Sequence, residues 1–141
     1  MPYQHKKLTY WVLITNCLII IGAGHGIAPI LFLEFILPFN MGSDGFDFCV
    51  GLHCSYDQSL FLTAILSFCG QLLLLIANSE ESSISRIASL TFMWLGLFYI
   101  CHNFDEIATI TLIYASPFII TSGYLIYLII NGVFKKQQFG S

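Results

Sequence analysis

Charge is the scarcest commodity in this chain. Asp, Glu, Lys and Arg make up only 9% of 141 residues, where a soluble domain carries about 25%. That poverty excludes an ordinary water-soluble globule. Basic residues number five and the formal net charge is -3, so no basic face exists to neutralise phosphates and nucleic-acid binding is excluded. There is no Gly-x-Ser-x-Gly elbow, which argues against a serine hydrolase of that type. No internal repeat is visible. Strict apolar/polar alternation is missing too: runs such as Gln71-Leu72-Leu73-Leu74-Leu75-Ile76 do not suit a transmembrane barrel.

What is present is apolar and regularly divided. Hydrophobic residues make up 57% of the chain, and mean hydropathy is +0.81. No charge interrupts Lys7 to Glu34, Asp57 to Glu80, Arg86 to Asp105, or Glu106 to Lys135. A helix of about 20 apolar residues crosses the ~30 Å hydrocarbon core, and backbone amides in lipid must be bonded within their own segment. The sequence therefore predicts an all-α, polytopic membrane protein. It is read as one domain over 1–141, a bundle of four transmembrane helices at about 8–33, 58–77, 86–102 and 107–130, with an outer loop at 38–57.

Sidedness follows from the few cations. Lys6 and Lys7 precede the first span, Arg86 sits at the second connection, and Lys135 and Lys136 follow the last span. The other connections carry acids, among them Asp44, Asp57, Asp105 and Glu106. The positive-inside rule then places both termini in the cytoplasm. His5-Lys6-Lys7 and Gly22-Ala23-Gly24 flank an apolar stretch in the manner of a signal peptide. Here the segment is read as an anchor that stays as the first span. Within it, Gly22, Gly24, Gly26 and Pro29 predict a kink, or a break followed by a short interfacial helix. Glu34 then lies at the outer headgroup level or turns back into the bundle. Ser116-Pro117 predicts a second kink, inside the last span.

Candidate chemistry gathers in the outer half. His25, Glu34, His53, Asp57, His102, Asp105 and Glu106 all fall there, and ionisable groups at membrane depth are costly and often functional. Asp105 and Glu106, with Asp44 and Asp47 in the loop, read as a solvated rim. Cys49 and Cys54 lie where thiols oxidise, and their spacing permits a small disulfide loop. Gln71 and Tyr114 are polar groups suited to orienting a ligand, while Ser67, Thr109 and Thr121 read as helix-packing residues. No metal or cofactor is expected, although His25 and His102 are the only pair that haem ligation would have to use.

Two stretches carry a family resemblance. His25 to Glu34, with Pro29 inside it, resembles the first helix of the EXPERA superfamily of sterol isomerases and sigma-type receptors. Tyr114-Ala115-Ser116-Pro117 resembles the start of that superfamily's last helix, with Ser116 inserted. The resemblance implies an aromatic-lined cavity open to the bilayer, with Glu34 facing a cationic or carbocationic centre. Asp57 is the nearest counterpart of the superfamily's second acid, and Trp94, Tyr99 and Tyr114 would supply aromatic walls.

The expected function is binding of an apolar or amphiphilic ligand, lipid or sterol-like, in an outward-half polar pocket formed by His25, Glu34, Asp57, His102, Tyr114 and Gln71. Isomerase-type acid/base chemistry is a further expectation, and no catalytic group is assigned. Two alternatives stay open: a thiol–quinone redox protein using Cys49 and Cys54, and an oligomeric pore or effector subunit. The expected partners are membrane lipid and, for so small a chain, further copies of itself.

Overall fold

The structure is a computed structural model that describes residues 2–23, 26–36, 49–51, 53–102 and 106–139. It is helical over most of its length. The described elements are α1 (Pro2–Cys17), β1 (Ile20–Ala23), β2 (Gly26–Pro29), α2 (Ile30–Ile36), α3 (Tyr56–Glu80), α4 (Ser83–Cys101), α5 (Glu106–Tyr114) and α6 (Ser116–Phe139).

The expected first span, 8–33, is not one helix. α1 ends at Cys17, and β1 and β2 pair antiparallel with Ile20 opposite Pro29 and Ala23 opposite Gly26. Pro29 lacks an amide hydrogen and sits at the strand end, where none is needed. The hairpin reverses the chain, and Ile30 N–H returns to Ile19 O at 2.8 Å. α2 therefore runs back alongside α1. Of the two sequence expectations for Glu34, the turn back into the bundle is the one observed, and Glu34 is buried.

The middle spans are close to expectation. α3 covers 58–77 and α4 covers most of 86–102. Ser55 caps α3 in a full capping box with Gln58, satisfying two orphan donors reciprocally. Ser82 caps α4, and the turn between them passes through Glu81 in the left-handed region at φ 56°. α3 and α4 pack along their length. Gly70 makes this possible, since a Cβ there would lie 2.5 Å from Met93 Cγ and 2.9 Å from Ser89 O.

The last span is bent, as Ser116-Pro117 predicted. α5 and α6 meet at 53°. Pro117 cannot donate to the carbonyl four residues back, while Ala115 N–H to Thr111 O and Ile119 N–H to Ala115 O carry the chain through the bend. Among the described residues two helices are long and apolar enough to cross a membrane, and α5 with α6 makes a third if counted as one span. This falls short of the four expected spans, because α1 has only 16 residues, about 24 Å of helix.

α1 packs on α6 and α3. Thr15, near the end of α1, bonds Thr121, near the start of α6, at 3.0 Å, and the two helices run antiparallel. The start of α1 lies beside the α3–α4 turn, where Lys6 Nζ meets Glu81 Oε1 at 2.6 Å. The start of α1 and the α3–α4 turn mark one end of the bundle, called here the terminal end. The hairpin marks the opposite end. There Tyr56 hydroxyl accepts from Gly22 N–H at 3.2 Å and lies 3.0 Å from Thr111 Oγ1, joining β1, α3 and α5. The core runs between them through Val12, Ile21, Leu74, Leu90, Met93, Phe118 and Leu125.

Candidate functional site

A polar network lies in the interior where α1, α2 and α3 meet. Asn16 Oδ1 accepts from Ser67 Oγ and from Gln71 Nε2, each at 2.8 Å. Gln71 Nε2 also donates to Glu34 Oε1 at 2.9 Å and approaches Ser67 Oγ at 3.5 Å. All four residues are buried. The spacing of Ser67 and Gln71 puts them one turn apart on the same face of α3, and the hairpin delivers Glu34 to that face. Glu34 Oε2 is buried and has no hydrogen-bond partner. Beside the network is a cavity of about 10 Å³ touching Asn16, Thr63, Ser67 and Met93, room for about one water.

The structure thus brings Glu34 and Gln71 together and places His102 and Tyr114 elsewhere. His25 lies outside the described residues, and so does the side chain of Asp57. His102 stacks on Tyr99 with ring centroids 5.7 Å apart, and its Nδ1 lies 2.6 Å from Tyr99 O. Tyr114 is exposed at the end of α5. Tyr99 lies near the end of α4 and meets the loop that precedes α3. Its hydroxyl lies 3.1 Å from Cys49 O, 3.0 Å from Gly51 O and 3.2 Å from Cys54 Sγ, and it accepts from Gly51 N–H at 2.9 Å. Cys49 and Cys54 form the expected disulfide. Cys54 is buried, so the bond clips the loop onto α4 through Tyr99.

A second feature opens on the side of the bundle. α4 and α6 touch only sparsely, apart from a ring contact between Trp94 and Phe118 at 6.0 Å. They leave a groove of about 500 Å³ lined by Ile87, Leu90, Thr91, Trp94, Leu95, Phe98, Ile126 and Ile130. Its α4 residues recur at helical spacing, so the groove is one stripe of that helix. Thr91 is its single hydroxyl. None of the four network residues lines it. The polar pocket and the apolar cavity expected as one site are therefore two, on different faces of the bundle.

Two functional candidates escaped the reading of the sequence. Asn16 is the hub of the network, and its only signal was a lone amide in an otherwise apolar stretch. Arg86 was read as a connection residue marking sidedness. Instead it lies in the second turn of α4 and is 5% exposed. Its field is felt by two neighbours at the terminal end. Burial first, then Arg86, holds His5 below its ordinary value. Glu81 is held low mainly by its bond to Lys6, with Arg86 contributing.

Comparison of the chain with protein-family models, with curated proteins and with solved structures finds no match in any of the three.

Proposed function

We propose that the chain is a multi-pass membrane protein, both ends in the cytoplasm, that binds the apolar body of a lipid or sterol-like amphiphile in the groove between α4 and α6. The observation that carries this reading is the groove itself. Its volume falls in the range of small-molecule sites. Its lining is apolar but for the Thr91 hydroxyl and the indole N–H of Trp94, and it opens sideways, toward lipid in a membrane-embedded bundle. The distribution of Lys and Arg supports the orientation. A place in the EXPERA superfamily belongs to the same proposal and rests on the segments His25–Glu34 and Tyr114–Pro117.

The test is native mass spectrometry of the detergent-purified protein beside a Thr91→Trp variant, whose indole would fill the groove. The expected result is a lipid-sized bound mass on the native chain and its loss from the variant. Equal retention by both would sink the reading.

A second reading is supported by Glu34. A buried carboxylate with one unpartnered oxygen, held by an amide that also ties Asn16 and Ser67, suits taking up and releasing a proton. Isomerase-type chemistry would need that oxygen to meet the ligand. Glu34→Gln keeps the shape and removes the ionisable proton, so activity or proton flux that survives it unchanged would rule this reading out.

A further inference from the structure

Three polar atoms at the terminal end are buried without a hydrogen-bond partner: Arg86 Nε on α4, Asn78 Oδ1 on α3 and His5 Nδ1 on α1. Asn78 and Arg86 flank the α3–α4 turn, and His5 precedes Lys6, which is bonded to Glu81 in that turn. The acid in that turn, Glu81, is therefore already taken. Asn78 and Arg86 are 6% and 5% exposed. Arg86 feels the Glu81 carboxylate only as a minor neighbour behind Lys6, and a guanidinium at that depth with its Nε left without a partner is disfavoured; an anion from outside the chain is the simplest remedy.

The donor set fits one. Arg86 supplies a planar fork matched to phosphate oxygens. Turning the Asn78 amide presents its N–H groups, and neutral His5 can carry its proton on Nδ1. Lys6 and Lys7 add positive charge nearby. The position also fits. Arg86 is one turn from Leu90 on the same side of α4, its side chain leans toward the start of that helix, and the apolar groove begins at Ile87. A headgroup at Arg86 is thus continuous with a tail in the groove.

We propose that Arg86, with Asn78 and His5, binds the phosphate of an anionic phospholipid whose acyl chain occupies the α4–α6 groove. This inference rests on the lipid-binding reading of the groove and names its ligand class.

The full chain in detergent is titrated with dioleoylphosphatidylglycerol, dioleoylphosphatidylcholine and inorganic phosphate, and binding is read by native mass spectrometry. The native chain is expected to prefer the anionic lipid by about tenfold, the scale of one or two charged hydrogen bonds. Arg86→Met should abolish that preference, and Arg86→Lys should keep part of it. An unchanged preference in Arg86→Met overturns the proposal. Inorganic phosphate that displaces the lipid at equal concentration also overturns it, since the site would then take a free anion. Should Arg86→Met fail to fold, Asn78→Leu is read the same way.

Thr91→Trp separates the two readings. Weaker binding of both lipids with the preference intact supports groove and headgroup site together. Full binding with the preference intact overturns the groove and leaves the headgroup site standing. Loss of the preference in Arg86→Met while Thr91→Trp still blocks both lipids supports both. Weaker binding in Thr91→Trp beside an unchanged preference in Arg86→Met overturns the headgroup site alone.

Discussion

Two buried polar clusters sit in the same apolar bundle and are treated in opposite ways. Asn16, Glu34, Ser67 and Gln71 are tied to one another by hydrogen bonds of 2.8–2.9 Å, and a single atom, Glu34 Oε2, is left over. Arg86 and Asn78 lie at comparable depth and His5 is partly buried beside them, with an unpartnered atom on each. The first cluster is closed by the chain's own groups, because the hairpin folds α2 back against α3. The second is left open at the end of the bundle, next to a groove. Self-satisfaction points to a role in holding elements together, or in handling one proton. Lack of satisfaction points outward, to a partner the chain does not contain.

The harshest way to break the comparison is to remove the scaffold both clusters share. α3 carries Ser67, Gln71 and Asn78, and Gly70 sets its distance from α4. Gly70→Leu should cost at least about 3 kcal/mol through overpacking against Met93 and Ser89, seen as a large drop in thermal midpoint in detergent. A stable Gly70→Leu protein would show that α3 and α4 do not pack as closely as described.

Next in size is Gln71→Leu. It strips the donor shared by Glu34 and Asn16, and a hydrogen bond to a charged group is worth about 2 kcal/mol. Thermal unfolding should register that loss, and Glu34→Gln combined with it should recover part. No recovery would mean that the two residues do not interact.

Arg86→Met is expected to have the opposite sign. Removing a buried charge whose Nε has no partner should leave the lipid-free protein as stable or more stable by about 1 kcal/mol. A clear destabilisation in lipid-free detergent would show that Arg86 has a partner within the chain, and the contrast between the clusters would collapse.

The smallest effect belongs to the exposed pair at the terminal end. Lys6 holds the Glu81 carboxyl below its ordinary value of 4.5. A lowered folded-state pKa means the pair's contribution is complete above that ordinary value and is lost as pH falls through the lowered one. The stability difference between the native chain and Lys6→Met should therefore shrink on acidification. A difference that grows as pH falls would contradict the pairing.

Some of this was legible in the residues. The charge-free runs around 58–77 and 86–102 located α3 and α4, because lipid-compatible length and scarce charge are properties of the chain itself. Pro117 announced the bend between α5 and α6 through its missing amide hydrogen. Cys49 and Cys54 announced their bond through spacing. The hairpin was hidden, since Ile19 to Ala23 and Gly26 to Pro29 are short apolar runs that periodicity alone does not assign to strand or helix.

The amino-acid sequence by itself determined which segments are apolar, where they bend, and on which side of them the few charges fall, since these depend on composition along a line. The tertiary structure alone decided that Glu34 meets Gln71 rather than His102, that Arg86 is buried rather than solvated, and that the groove opens between α4 and α6. Those outcomes turn on the reversal of one hairpin and the close approach of two helices at Gly70, which set distances between residues far apart in the chain.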